Sequence, residues 1–407
     1  MADQNNSNYD EEEEYSIMTC NLPKDAVVQI LLRLPVKVLL RFRSVCKSWY
    51  NFLKSPNFIK LHLTHQISRP ASPIIAWENH SRLWPDLFLL HLHPIACDIE
   101  QYNFTINHQL PLPFGTDDLK DYADLVFCYN GLICLVKDIY TSPVLILWNP
   151  ATRRSKFINI PSECSRFTRS TYLQLGSRST YLKLGYVQQS NDYKILRVPF
   201  ETRSNDESSK LAWVYTLSSG SWKTIPFTLL NQTVALGPQI SLNGFVYWLA
   251  NSFSVECIVC FDLIKDEFKL VDVPDDRGFD FKLVRRRLMV LRGSLAMIVS
   301  VEDGSRDTEI WMLRNKISGL KPYSWTKEFI IEPFPQRTIP LGIWNADKLL
   351  LVVLQTRVLK QVYSYDLVTK KMEYFHVPKE QDLRSFMSLC GRYFESLELE
   401  DGYGQRY

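Results

Sequence analysis

Two cysteines three positions apart, Cys257 and Cys260, and two histidines two apart, His91 and His93, have the types and spacing to hold a metal. A structural zinc needs four converging Cys or His ligands, so either pair supplies only half a site. No second Cys or His pair completes the set. Cys257-Ile258-Val259-Cys260 is apolar and reads as a strand carrying buried or alternating thiols. His91 and His93 would share one face of a strand, with no third ligand assignable. The sequence has no glycine-rich phosphate loop, no Gly-x-Ser-x-Gly elbow and no Cys–His nucleophile signature. Arg285-Arg286-Arg287 reads as a solvated turn between strands. These residue types point to binding, with no cofactor required.

The binding signal is strongest in residues 22–62. Val27, Ile30, Leu31 and Leu34 follow the i, i+3, i+4, i+7 stripe of an amphipathic helix. Pro23 fits the first turn, where its missing N–H has no intrahelical partner. Pro35 disfavours α geometry at Leu34 and ends the helix. A second short helix places Val36, Leu39 and Leu40 inward, and a third carries Val45, Trp49, Phe52 and Leu53 until Pro56 stops it. Three such helices bury too little surface among themselves. Leu22, Pro23, Leu34, Pro35 and Trp49 are therefore expected on a face covered by a partner.

The order of Leu22-Pro23-Lys24-Asp25, Ile30-Leu31-Leu32-Arg33-Leu34-Pro35, Leu39-Leu40-Arg41-Phe42-Arg43 and Val45-Cys46-Lys47-Ser48-Trp49 resembles an F-box. The resemblance implies docking to a Skp-type adaptor and, through it, a cullin-based ubiquitin ligase. It extends the docking set to Leu22, Pro23, Ile30, Leu34, Pro35, Leu39, Val45, Cys46 and Trp49. Between positions 22 and 61 eight basic residues face Asp25 alone, a charge that would steer these helices toward an acidic adaptor. Nucleic acid is the other reading of such charge. Thin aromatic interleaving and the lack of a groove-reading motif rank it lower.

At 407 residues, 46% hydrophobic and 22% charged, the chain has a globular composition and room for more than one domain. The net charge of +3 is uneven. Residues 1–20 hold six acids and no Lys or Arg, and read as a disordered acidic tail. No run approaches the roughly 20 apolar residues that span a bilayer, and no signal-peptide pattern opens the sequence. Nine dispersed cysteines suit a reducing compartment, so a cytoplasmic or nuclear protein is expected.

Beyond His65 the texture becomes strand-like: short runs of β-branched and aromatic residues punctuated by Asn-Gly, Pro and charged turns. A turn-plus-apolar-run element recurs at Asn130-Gly131, Leu184-Gly185, Asn243-Gly244, Arg292-Gly293 and Ala346-Asp347, at intervals of 54, 59, 49 and 54 residues. A second element follows most of them: Trp148-Asn149-Pro150, Tyr215-Thr216-Leu217, Phe261-Asp262-Leu263 and Tyr365-Asp366-Leu367, each with an aromatic and a strand-ending Pro downstream. A hairpin repeat near 50 residues is the signature of kelch-like propeller blades. Six blades would fit, the alternative being one large irregular β-sandwich. A short helix is expected at residues 379–386, and residues 384–399 as an added element closing the ring.

Asn130-Gly131-Leu132-Ile133-Cys134, Trp148-Asn149-Pro150-Ala151-Thr152-Arg153, Leu184-Gly185-Tyr186, Ser221-Trp222-Lys223 and Ser324-Trp325-Thr326-Lys327 resemble the plant F-box-associated interaction domain. Within that group the chain is similar to the S-locus F-box and S-locus-like proteins, which would make pistil ribonucleases the target class in self-incompatibility. Asn149-Pro150 is read as a turn fixing a strand exit. Residues 169–176 are nearly repeated at 178–185, and one copy is expected as a loop on the target-facing rim. The expected organisation is α+β multidomain: tail 1–20, three-helix F-box 21–66, mostly antiparallel kelch-like propeller 67–399, tail 400–407. Its partners would be the adaptor with its cullin and a protein substrate, with no nucleic acid or membrane.

Overall fold

The computed structural model describes residues 23–68, 74–81, 84–95, 98–110, 112–113, 123–137, 144–161, 182–199, 210–227, 233–252, 255–274, 284–301, 306–315, 323–333, 338–345, 347–354, 360–376, 386–398 and 405–406. Four helices come first: α1 (Lys24–Arg33), α2 (Val36–Phe42), α3 (Lys47–Lys54) and α4 (Pro56–Ser68). Pro56 therefore begins a fourth helix as well as ending the third. Its fixed φ suits a first helical position, and Phe58, His62, Leu63 and Gln66 follow as α4's buried face. Among the described residues no helix is long and apolar enough to cross a membrane.

The rest is sheet, in units of four strands. These are β1 (Ile74–Ser81), β2 (Trp84–Ile95) and β3 (Asp98–Leu110); β4 (Ala123–Tyr129), β5 (Leu132–Lys137), β6 (Val144–Asn149) and β7 (Arg154–Asn159); β8 (Leu182–Val187), β9 (Asp192–Arg197), β10 (Leu211–Thr216) and β11 (Ser221–Pro226). Then come β12 (Thr233–Leu242), β13 (Phe245–Ser252), β14 (Val255–Asp262) and β15 (Glu267–Val271), followed by β16 (Val284–Leu291), β17 (Ser294–Val301), β18 (Thr308–Asn315) and β19 (Tyr323–Ile331). The series ends with β20 (Thr338–Asn345), β21 (Lys348–Leu354), β22 (Lys360–Asp366), β23 (Met372–His376), β24 (Phe386–Arg392) and the two-residue β25 (Gln405–Arg406).

Successive strands within each unit pair antiparallel, and the whole is a β-propeller following a short helical domain. β24 pairs with β1 and closes the ring. The first strands β4, β8, β12, β16 and β20 lie each against the next, and β24 sits between β20 and β4. Where six separate blades were expected, the described residues form five sheets. The reason is local: β23 and β3 pair in parallel at Phe375↔Tyr102 and His376↔Asn103, fusing β20–β23 with β24 and β1–β3 into one eight-stranded sheet.

Two turn chemistries explain the repeated sequence elements. Asn130/Gly131, Asn243/Gly244 and Arg292/Gly293 have consecutive positive φ values (52° and 80°, 51° and 79°, 50° and 72°), the geometry that matches a two-residue hairpin to strand twist. At the second turn of three units a carboxamide or carboxylate caps its own loop. Asn149 Oδ1 accepts from the Ala151 and Thr152 amides, Asp262 Oδ1 from those of Ile264 and Lys265, and Asp366 Oδ1 from those of Val368 and Thr369. Asn149-Pro150 is thus a turn-former, as read from the sequence.

Leu184-Gly185 breaks the pattern. Gly185 lies inside β8, not in a turn, and an ideal Cβ there would sit 2.3 Å from Leu263 Cδ1 and 2.8 Å from Val246 Cγ2. Its lack of side chain admits the neighbouring blade. Arg285-Arg286-Arg287 is likewise not a turn. It lies within β16, where Arg286 ion-pairs with Glu256 at 2.5 Å and Arg287 donates to Pro340 O at 2.9 Å.

Blades adhere through apolar layers in which Trp148 and Trp248 are fully buried, and through polar staples between outer strands. The Trp222 indole N–H donates to Asn159 O at 2.9 Å and that of Trp325 to Asp272 O at 2.7 Å, each reaching the preceding blade. The tryptophans of the Ser-Trp motifs are therefore joints. At the hairpin-turn end, Lys194 pairs with Asp266 at 2.8 Å and Arg292 with Asp347 at 2.8 Å, again across blades.

Candidate docking surface

The helical domain has its own small core of Val27, Leu31, Leu32, Val36, Leu39, Leu53 and Phe58, all buried. α1 has no side-chain hydrogen bond at its N-cap, Pro23, and ends at Leu34, whose φ of −79° and ψ of 145° are the extended geometry that a following proline imposes. α4 closes the base. Its buried His62 Nε2 lies 3.2 Å from Leu34 O and 3.2 Å from Gln66 Nε2, so a polar pair seals the backbone where α1 stops.

The expected docking residues divide into three sets. Pro23, Ile30, Pro35, Val45 and Cys46 are exposed, Ile30 at 49% and Val45 at 65%. Leu34 and Trp49 are half-buried against the domain's own core. Trp49 meets Phe42 edge-on with ring centroids 5.3 Å apart. Leu39 is a correction: it is 0% exposed at the centre of that core and has no surface left for a partner. The helical stripe misleads because α1 and α2 are packed on by more than one neighbour, so positions on the i+3/i+4 rows split between the chain's core and its exterior. Leu22 lies outside the described residues.

Beside Val45 the surface opens into a cavity of about 410 Å³ lined by Arg43, Ser44, Cys46, Lys47, Tyr50 and Asn51. Arg43 sits at its floor and donates to Leu53 O at 2.7 Å, and burial draws its guanidinium down to about 10. Tyr50 is 43% exposed and accepts from Lys54 Nζ at 2.8 Å, which holds its phenol below the ordinary value. Ile30, Val45 and Tyr50 are exposed, and so are the basic Lys37, Arg41 and Lys47, the mixture of apolar and charged groups that protein-docking surfaces present. Tyr50 and Arg43 were not among the expected residues; Tyr50 lies one turn of α3 beyond Cys46, the one spacing that could have found it.

Of the residues considered for metal chemistry, the side chains of His91 and His93 lie outside the described set. Cys257 and Cys260 are unpaired thiols on β14, both pushed up to about 11, chiefly by burial, and so poor thiolates at neutral pH. Among the described residues no three His, Cys, Asp or Glu side chains group to hold an ion. The repeated segment 169–176 and the expected helix at 379–386 lie outside the described residues, except that Phe386 opens β24.

The helical domain is mounted on the hairpin-turn end of the propeller. Ala151, in the β6–β7 turn, packs against the helical core. Because strands alternate direction, the β4–β5 and β6–β7 turns share that end. β5 therefore ends and β6 begins at the opposite end, as do β7 and β8. The two-residue hairpins at 130–131, 243–244 and 292–293 lie at the helix end, while β5 and β6, and β7 and β8, are separated by longer stretches of chain at the other end, the kind of connection that commonly carries binding residues.

Comparison with known proteins agrees with this division. Residues 19–61 match the F-box domain and residues 90–398 match the F-box associated beta propeller domain. An F-box protein of Arabidopsis thaliana is 27% identical over 307 residues, covering 74% of this chain and 73% of its own. A second is 28% identical over 302 residues, covering 73% and 70%. An F-box/kelch-repeat protein of the same plant is 27% identical over 254 residues, covering 62% and 63%. With three-quarters of its length in the propeller and the helical domain ahead of it, the chain belongs to the family of plant F-box proteins that carry an F-box-associated β-propeller.

Proposed function

We propose that this protein is the substrate-recognition subunit of a Skp–cullin–F-box ubiquitin ligase. Ile30, Pro35, Val45, Cys46 and the Tyr50 cavity dock on a Skp-type adaptor, and the far end of the propeller holds a protein target. The observation that carries the reading is the set of side chains, Ile30, Pro35, Val45 and Tyr50, left exposed among basic residues on helices that pack at the hairpin-turn end of the propeller. In this reading the chemistry belongs to the ligase's other subunits and this chain contributes binding. It works by proximity, since tethering a target beside an activated ubiquitin raises the effective concentration of its lysines. The S-locus-like motifs support pistil ribonucleases as the target class, and a non-reproductive target is the other member of the same reading.

The test is binding of the purified full chain to recombinant Skp-type adaptor. Val45→Asp and Ile30→Asp are expected to weaken binding at least tenfold with the propeller's melting transition unchanged. Full binding by both variants overturns the surface. Co-purification of cullin separates a ligase subunit from an adaptor-bound protein acting outside one. The ubiquitinated proteins that accumulate when the chain is lost identify the target, and expression confined to pollen favours the self-incompatibility role.

A further inference from the structure

Residues 393–398 lie between the two domains and make contacts with both. Toward the helices, Leu397 is 0% exposed within the core of Val27, Leu31, Leu32, Val36, Leu39, Leu53 and Phe58. Glu395 Oε2 accepts from the Val36 amide at 2.9 Å. That amide opens α2, whose N-cap is Pro35 and has no capping side chain of its own. Glu395 thus caps, from far along the chain, a helix end that would otherwise be bare.

Toward the propeller, Tyr393 is buried with Ile133, Leu135, Ile146 and Trp148. Asn149 Nδ2 donates to Ser396 O at 3.0 Å, Ser396 Oγ at 3.2 Å and Glu398 O at 2.8 Å. Its Oδ1 is committed to its own turn, so one carboxamide fixes both the blade's loop and the segment. Gly131 makes room for the crossing: a Cβ there would lie 2.3 Å from Phe394 O. Nearly every residue of the segment thus has a partner in one domain or the other.

We propose that residues 393–398 are a strap that completes the F-box and fixes its angle on the propeller, with Asn149, Glu395 and Leu397 as positioning residues for adaptor docking. None of the three touches the docking face. They act through α2, whose N-terminus they cap and whose inner face they cover, and hence through Pro35 and the α1–α2 corner. A target held at the far end of the propeller is then presented at a set distance and direction. The strap stands on packing alone, while its effect on docking rests on the adaptor reading above.

The test uses the full chain, with hydrogen exchange resolved to single amides and the distance distribution between probes at Thr64 and Ser219, both exposed sites. Leu397→Ala and Asn149→Ala are expected to broaden the distribution, speed exchange in α1 and α2 at least tenfold, and weaken binding of recombinant Skp-type adaptor about tenfold. Exchange in β8–β19 stays unchanged, and Leu397→Met restores all three readouts. A narrow distribution with wild-type exchange in Leu397→Ala overturns the strap. Should Leu397→Ala unfold the chain, Glu395→Ala decides: faster exchange at Val36 with an intact propeller supports the strap, and wild-type protection there refutes it. If the wild-type chain binds no adaptor, the ligase reading fails while exchange and distance still judge the strap.

Discussion

The Lys183 ammonium lies 5.7 Å from the centre of the Trp248 ring, on a residue only 1% exposed between two blades. A ring face offsets part of the cost of a buried charge and no more. Burial accordingly draws the ammonium from 10.5 down to about 7. The unfolded chain holds that proton more tightly than the folded one. The penalty on folding is therefore complete below about pH 7 and fades as pH rises toward 10.5. Lys183→Met should raise stability at pH 6 on the order of 3 kcal/mol, with the gain shrinking toward pH 10. Denaturant melts of both chains across that range check it.

Glu398 titrates in the opposite sense. Its Oε1 is buried without a hydrogen-bond partner, its charge faces Tyr186 and Tyr193, and burial raises the carboxyl from 4.5 to about 7. Its contribution to folding is greatest below pH 4.5 and is lost as pH rises through 7. Glu398→Gln should flatten this dependence, gaining on the order of 2 kcal/mol over the wild type at pH 8 and little at pH 5. Melting curves at the two pH values decide it.

Removing one interblade staple should cost little and leave docking alone. Trp325→Phe and Trp222→Phe each delete one indole-to-carbonyl hydrogen bond, worth about 1 kcal/mol. Because the two bonds tie different pairs of blades, the double variant should lose close to the sum. Denaturant midpoints measure the effect, and unchanged adaptor binding separates it from damage to the helices.

Leu39→Ala should behave unlike a surface substitution. It empties a fully buried position and should cost the helical domain about 2–5 kcal/mol. Weakened adaptor binding would then accompany faster exchange in α2, whereas Val45→Asp should weaken binding with exchange unchanged.

Much of this architecture was legible in residue order. The prolines at 23, 35 and 56 mark helix boundaries, and the Asn-Gly pairs at 130 and 243 mark hairpins, because those residues restrict or permit φ locally. Gly185 shows the limit. Its spacing matched the hairpin glycines, but its cause is tertiary, the approach of Leu263 and Val246 from another blade. Gly185→Ala should accordingly cost about 1–3 kcal/mol through overpacking, readable in the same denaturant melts. Leu39 was misassigned for a related reason: amphipathic spacing marks an apolar face without saying whose core it enters. The part played by residues 393–398 was invisible, since Glu395 caps an amide 359 positions away and no local pattern encodes such a pairing.

Ring closure also sets an order of assembly. β1 is synthesised early and finds its partner β24 only after the intervening blades have emerged, and the helical core waits for Leu397 in the same way. Until then the nascent chain carries an open sheet edge and an unfinished hydrophobic centre, both attractive to chaperones. A ribosome that stops before residue 386 therefore releases a product in which neither the ring nor the helical core is closed.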